Sequence, residues 1–269
     1  MARTRLPICV LVLFAGCGSG DVRVTIYGED YIEQRIPPGS EDEGGFVDGW
    51  SFSISKFLVV LSDVQIGGAA QASETFLLDV HRPGPTEVHR FAAVPSGTHP
   101  FSFTIAPANG APSRLHTTDA DEAVMTSGGY SVYVEGTATR GAEQRTVRWG
   151  FDTATRYAAC ATAETGPGVT VSAGSEVTAQ ITVHGDHLFH DQLTPDAQVR
   201  FGPIAEADAD GDGEVTLDEL GAVPLSSLPL DLYGTGGTPN VTTLRDFVTA
   251  QVRSLGHFQG EGHCQVTPI

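Results

Sequence analysis

Large and polar residues alternate along Val22-Arg23-Val24-Thr25-Ile26-Tyr27. A two-residue period of this kind buries one face of a β-strand and exposes the other. The pattern stops between Gln34 and Gly45, where Pro37, Pro38, Gly39, Gly44 and Gly45 cannot continue a sheet. Short runs rich in Val, Phe, Tyr or Thr predict further strands around Trp50 to Ile66, Thr75 to Val80, Phe101 to Ile105, Tyr130 to Gly136, Arg145 to Phe151 and Val177 to Val183. Turn clusters such as Pro95-Ser96-Gly97, Ala108-Asn109-Gly110 and Ser127-Gly128-Gly129 separate them, and Asp119 to Met125 reads as a helical turn. Many short strands between turns predict an antiparallel β-sandwich over residues 22–192.

The period changes after Leu193. Asp196 to Ala207, Leu217 to Val223 and Thr243 to Leu255 predict helices, the last with Leu244, Phe247, Val248, Val252 and Leu255 on one side. Thr242 or Thr243 is placed to cap that helix, and Asp246 to suit its N-terminal dipole. The fold class expected is therefore mainly β, with a small helical unit over 193–269 that begins at an acidic loop.

That loop is Asp208-Ala209-Asp210-Gly211-Asp212-Gly213-Glu214-Val215-Thr216-Leu217-Asp218-Glu219, which matches the EF-hand calcium pattern at each diagnostic place. A hard cation takes oxygen ligands at about 2.3–2.6 Å, so alternate residues of a tight loop must turn carboxylates inward. Asp208, Asp210 and Asp212 hold those places, Glu214 offers its backbone carbonyl, Thr216 acts directly or through water, and Glu219 supplies two oxygens. Gly213 permits the sharp turn, and Val215 is expected to face an apolar side and pair with a partner strand. Gly234 to Arg245, with Val241 at the pairing place, reads either as a decayed second hand or as a Gly-rich linker. A structural calcium ion is the favoured reading, with calcium-dependent attachment to a protein or glycan partner as the runner-up.

Charge and the first residues narrow the compartment. Acidic residues outnumber basic ones 33 to 15, giving a formal charge of -18 that repels nucleic acid and anionic headgroups. Arg3 and Arg5 precede an apolar run from Leu6 to Phe14 that is too short to span a bilayer, followed by small residues before Cys17. This is the layout of an export signal over residues 1–17. Leu13-Phe14-Ala15-Gly16-Cys17 resembles the lipobox of bacterial lipoproteins, except that Phe14 stands where that motif usually has Leu. The resemblance implies lipidation at Cys17 and a membrane partner through the lipid anchor. Gly18 after the cysteine implies the outer membrane, and the alternative is ordinary secretion. Cys9 leaves with the leader, so Cys160 and Cys264 remain as a disulfide pair in an oxidising compartment. A pair of metal-binding thiolates is the competing reading, although it lacks a CxxC spacing.

Nine histidines are present, and five gather in two short segments: His184, His187 and His190, then His257 and His263. If Cys264 bridges to Cys160, both segments meet near the junction of the two units. Imidazoles suit copper, zinc or iron, with Asp186 and Asp191 as further ligands. A step of three residues, however, sends successive rings to opposite faces of a strand. Hydrogen-bonded structural histidines are the favoured reading and a second metal site the alternative. No GxSxG, P-loop, dinucleotide-binding GxGxxG or SxxK arrangement stands in a credible context, so no enzymatic activity is expected.

Taken with the lipobox and the acidic loop, Asp48-Gly49-Trp50-Ser51-Phe52, Phe57-Leu58-Val59-Val60, His184-Gly185-Asp186-His187 and the closing Gly262-His263-Cys264 resemble a group of uncharacterised bacterial EF-hand lipoproteins. That resemblance covers nearly the whole chain and implies export and calcium binding. The region with Trp50 and the later histidines is also similar to periplasmic copper-binding proteins of the MbnP type, with no matched ligand set. The expected function is thus a calcium-binding, envelope-anchored lipoprotein with a structural or binding role. The alternative is a transition-metal binding or carrier protein that uses the histidine groups.

Overall fold

The computed structural model describes residues 18–39, 44–229 and 231–269; the leader and Cys17 lie outside the described residues. The protein is mainly β, with 46% strand and 17% helix. A four-stranded sheet runs in the order Gly256–Phe258, Glu176–Val183, Ser19–Gly28, Thr86–Pro95. A curled eleven-stranded sheet centres on Ser51–Ile66, flanked by Phe101–Ile105 on one side and Val132–Arg140 and Glu143–Phe151 on the other. Side chains of both sheets meet in one core that includes Val24, Phe52, Phe103, Trp149 and Ile181.

The alternation read from Val22 to Tyr27 is what buries this face: Val22, Val24 and Ile26 are buried while Arg23 and Tyr27 stay partly exposed. In the central strand the alternation vanishes, because Phe57 through Leu61 are buried on both faces. Leu58 and Val60 form a second cluster with Leu77 and Met125, the latter from helix Asp119–Gly128, which covers the outer face. That helix starts at a capping box between Thr118 and Asp121 and ends at Gly129, whose φ of +64° is a left-handed conformation that glycine adopts without strain.

The sheets are mixed rather than purely antiparallel as expected. Ser19–Gly28 runs parallel to Glu176–Val183 and antiparallel to Thr86–Pro95. Parallel neighbours need a long crossover, and here the chain passes through the larger sheet before it returns in the same direction. Strands that the sequence pattern did not predict include Thr86–Pro95 and Thr155–Thr162. The first shifts register twice against Ser19–Gly28, which destroys its alternation. The second carries Ala158, Ala159 and Ala161 where a strand signal needs large residues, although it buries Tyr157 and Cys160.

The C-terminal segment departs further from expectation. Of the helix expected over Asp196 to Ala207 only Gly202–Ala205 forms, with Pro203 in its first turn. Residues before it are extended: Val199 bridges Phe46 and His190, and Asp191 accepts hydrogen bonds from Gln198 N–H and Arg200 Nε. Leu217–Gly221 and Leu244–Gln251 are helical, each opened by a capping box, the latter between Thr243 and Asp246. The predicted helical unit is therefore reduced to short helices around the acidic loop. Three strands of residues 193–269 pair outside that segment: Glu214–Val215 with Glu143–Phe151, Gly256–Phe258 with Glu176–Val183, and His263–Pro268 with Thr155–Thr162.

The Cys160–Cys264 disulfide is present and fastens His263–Pro268 to its neighbour. A sequence separation of 104 means that the bond closes a large loop in the unfolded chain. The chain-entropy relation assigns this about 4–5 kcal/mol. Cys264→Ser is expected to lower the melting midpoint by roughly 10 °C. Calorimetry of the variant and of reduced wild type checks this, and an unchanged midpoint overturns it.

Candidate metal centres

Small residues between the acidic ones let the loop at Asp208 wind its backbone around its own carboxylates. Asp208 Oδ1 accepts from Gly211 N–H at 2.9 Å, and its Oδ2 from Gly213 N–H at 3.2 Å. Asp210 Oδ1 accepts from Asp212 N–H at 3.1 Å, and Asp212 Oδ1 from Glu214 N–H at 2.7 Å. These local bonds compete with helix and sheet and hold a turn instead. Gly213, at φ +87°, takes a conformation that a Cβ would strain.

Glu219 closes the loop from helix Leu217–Gly221. Its Oε1 accepts from Ala209 N–H at 3.0 Å, and its Oε2 from Thr216 N–H and Oγ1 at 2.8 and 2.9 Å. The Thr216 backbone bond, ahead of the other contacts, holds the Glu219 carboxyl below the usual range. As a result Asp208, Asp210 and Glu219 each offer an oxygen within 4.8 Å of the other two. Glu214 instead engages Arg148 with its carboxylate at 2.9 Å. Arg145 Nε lies 3.1 Å from Asp208 Oδ2, so a cation in the loop would share that carboxylate with a guanidinium.

Val215, at the loop's apolar place, is fully buried and pairs in parallel with Val147. Thr146 N–H donates to Gly213 O at 2.8 Å, and Trp149 Nε1–H to Val215 O at 2.8 Å. The partner strand is therefore Glu143–Phe151. A decayed hand does not take that part: within 234–245, Thr243 bridges Pro224 and Val241 packs only at the core margin.

The histidines converge. Ring centroids of His184 and His257 stand 4.2 Å apart, His187 and His190 4.5 Å, His187 and His257 5.0 Å, His184 and His187 5.2 Å, and His257 and His263 5.2 Å. The expectation that a three-residue step separates successive rings fails because Asp186–Phe189 is a 3₁₀ turn, not a strand. In that geometry residues three apart eclipse one another. Leu188 and Phe189 point into the core, where Phe189 lies 4.7 Å from Phe52 and 5.4 Å from Phe46, and this fixes the turn. His257 arrives on a different strand, opposite Thr182 in the register.

Two carboxyls join the rings. Glu29 Oε1 accepts from Gly185 N–H at 2.8 Å, and its Oε2 is 3.3 Å from His184 Nδ1. Asp186 Oδ2 is 3.6 Å from His190 Nε2. Burial, and then the adjacent Asp186 charge, push Glu29 up to about 9, so it holds a proton at neutral pH. Burial also opposes ionisation of Asp186, but the His190 hydrogen bond and the neighbouring imidazoles outweigh it and hold that carboxyl down. Desolvation, and then neighbouring groups that partly cancel, lower His187 to about 4; desolvation and the adjacent imidazoles lower His257 to about 3. Both rings are thus neutral near pH 7, with lone pairs free for a metal or a donor.

No family model, curated protein or solved structure matches the chain. Of the expected oxygen ligands Asp208, Asp210 and Glu219 come together, whereas the Asp212 carboxylate and the Glu214 and Thr216 side chains stand outside that group. His184 joins Asp186 and His187 in one three-donor group and His257 and Glu261 in another. Asp191, a candidate further ligand, instead binds Arg200 Nε at 2.6 Å. Sequence reasoning missed Glu29 and Glu261. Glu29 lies 155 positions before His184, and no local pattern around it points to the histidines.

The buried titratable groups set opposite slopes of stability with pH. His187 and His257 titrate below their ordinary 6.5 when folded, so the unfolded chain binds more protons in acid and stability falls as pH drops from 6.5. Glu29 titrates above its ordinary 4.5 when folded, so stability falls as pH climbs from there to about 9. Two rings outweigh one carboxyl below 6.5, so melting midpoints in chelator are expected to peak near that pH. Glu29→Gln should flatten the alkaline side; a midpoint that rises steadily to pH 9 overturns the assignment.

Proposed function

We propose that this is a non-enzymatic, calcium-binding protein anchored to the bacterial cell envelope, in which the ion staples an EF-hand-type loop to a β-sandwich. The observation that carries the reading is the approach of Asp208, Asp210 and Glu219 oxygens within 4.8 Å of one another. Calcium takes six to eight oxygens at about 2.3–2.6 Å. Side chains of Asp208, Asp210 and Asp212, the Glu214 carbonyl, Thr216 directly or through water, and both Glu219 oxygens supply that number.

A structural role fits better than a switch. The helices flanking the loop have four and five residues, which gives little lever arm for an opening motion. Val215 is locked to Val147 and Trp149, so energy gained on binding passes into the sheet. Asp208 is nearly inaccessible, at 2% side-chain exposure, and is already half-neutralised by Arg145. Calcium adds charge compensation that one guanidinium cannot give to three carboxylates.

The anchor is the second part of the proposal. Several acyl chains on Cys17, each methylene worth about 0.8 kcal/mol, would hold the protein to a bilayer. Gly18 O already accepts from Ser96 N–H at 2.8 Å and from its hydroxyl at 2.7 Å. A lipid on the preceding residue would thus tie the sheet edge to the membrane surface without a long tether. Gly18 after the cysteine favours the outer membrane.

Two experiments test these parts separately. Calcium at about a hundred times Kd is expected to stabilise the folded chain by roughly 2.7 kcal/mol. Thermal melts with calcium and with chelator read that shift, and Glu219→Gln should erase it; equal midpoints in wild type overturn the structural ion. Cys17→Ser should move the protein from the membrane fraction to the soluble fraction and abolish acyl labelling. Retention of label in the variant overturns the anchor.

A further inference from the structure

Five imidazoles and two carboxyls gathered from segments about 155 and 70 residues apart are an unusual way to fill a junction. Apolar packing achieves the same closure without burying polar atoms that then need partners. Here several lack them. His257 is 6% exposed, and its Nδ1 is buried with no hydrogen-bond partner. Asp186 Oδ1 is likewise buried and receives no N–H or protein hydroxyl, the carboxyl having His190 and the protonated Glu29 beside it. Both atoms belong to the cluster that also holds His184 and His187, which themselves form a three-donor group with Asp186 inside 4.8 Å.

The remaining hydrogen bonds orient these rings as outer contacts orient metal ligands. His187 Nδ1 faces Ser254 O and Oγ at 3.0 Å, which leaves Nε2 to carry the lone pair. His184 Nδ1 faces Glu29 Oε2, a carboxyl–histidine contact, while Nε2 on the other side lies 3.3 Å from Gly260 O, a contact that a metal would replace. His190 Nε2 sits on Asp186 Oδ2 and steadies the carboxylate whose other oxygen receives no N–H. A ligating histidine characteristically gives its second ring nitrogen to a carboxyl, carbonyl or water, and such partners set the ring and its tautomer.

We propose that His184, His187, His257 and Asp186 form a binding site for one borderline divalent transition-metal ion of the zinc class. Three imidazole nitrogens and one carboxylate oxygen match the four-coordinate preference of that ion, whereas calcium and magnesium prefer an all-oxygen set. The donors lie within 4.8 Å of one another in the His184, Asp186, His187 group, and the His257 ring is 4.2 Å and 5.0 Å from the two histidine rings. Binding requires the side chains to rotate until these donors stand about 2.0–2.2 Å from a common centre, His257 joining from the group it forms with His184 and Glu261. Glu29 and Ser254 are positioning groups, and His190 positions Asp186. Glu261, with 88% of its side chain exposed and its Oε1 4.0 Å from His184 Nε2, stands at the solvent side as a carboxylate that a hydrated ion meets first. This site is independent of the calcium reading, since it shares no residue with the loop.

Zinc titration of tag-free full-length protein, stripped with chelator and reloaded with calcium, tests the proposal. One zinc equivalent is expected. His257→Asn and His187→Gln should each weaken it by more than about tenfold, since losing even a partner that orients a ligand costs that much. Glu219→Gln should leave zinc binding unchanged, so failure of the calcium loop and failure of this site are distinguishable. Glu261→Gln should keep the stoichiometry while slowing uptake. Because a ring substitution in the core can unfold the chain, X-ray absorption of zinc-loaded wild type gives a second readout, with imidazole-rich scattering at about 2.0–2.1 Å expected. No bound zinc at micromolar concentration, a first shell without imidazole, or loss of binding in Glu261→Gln but not in Asp186→Asn overturns the assignment.

Discussion

Backbone hydrogen bonding between distant segments is the constraint on which both donor clusters depend. A buried N–H or C=O must find a partner, and the short strands of the C-terminal segment find theirs in sheets built much earlier in the chain. Glu214–Val215 lies beside Glu143–Phe151, and Gly256–Phe258 beside Glu176–Val183. The first pairing orients the acidic loop, because Val215 is its eighth residue and cannot shift by one place without turning a fully buried side chain outward. The second sets His257 opposite Thr182, two residues before His184. Neither cluster is a property of its local segment alone.

The same constraint explains what could be read from the sequence. The acidic loop was legible because its carboxylates lie close together in the chain at a regular spacing. The strand at Val22 was legible because one side packs against a core and the other does not, and Phe101–Ile105 because a short apolar run between turns is buried throughout. Thr86–Pro95 was not, because two register shifts against its neighbour break the alternation that a strand signal needs. The step from His184 to His187 to His190 was visible, but its meaning turned on whether the backbone was extended or wound. Leu188 and Phe189 decide this by burying into an aromatic core around Phe46 and Phe52. That core is tertiary, and a period cannot report it. Glu29 was invisible for the same reason.

The two clusters handle charge in contrasting ways. In the loop, carboxylates are matched by backbone N–H groups and by Arg145, so the acidic residues fold without needing to give up their charge. In the histidine cluster, no Arg or Lys side chain stands in an ion pair with Glu29 or Asp186, among the described residues. Charge there is limited by a proton held on Glu29 and by burial that keeps His187 and His257 neutral. A protein that needed only solubility would keep these groups at the surface, where solvation is free of such compensation.

Local rules are obeyed across most of the chain: capping boxes at three helices, glycines at left-handed turns, apolar alternation where one face is buried. Consistency of this kind is what directs a sequence to one structure, and exceptions mark places where another requirement has won. Buried polar atoms without a hydrogen-bond partner are scattered among the described residues, Trp50 Nε1 and Tyr233 Oη included, and two of them, His257 Nδ1 and Asp186 Oδ1, stand in the histidine cluster, where the turn is held by Phe189 and the strand by its ladder. A rigid frame with unspent donor capacity at its centre is the arrangement a binding site requires, because ligand atoms must be ready before the ligand arrives. Backbone ladders and aromatic packing hold the frame here, so the placement of these atoms follows from the fold and not from looseness in it.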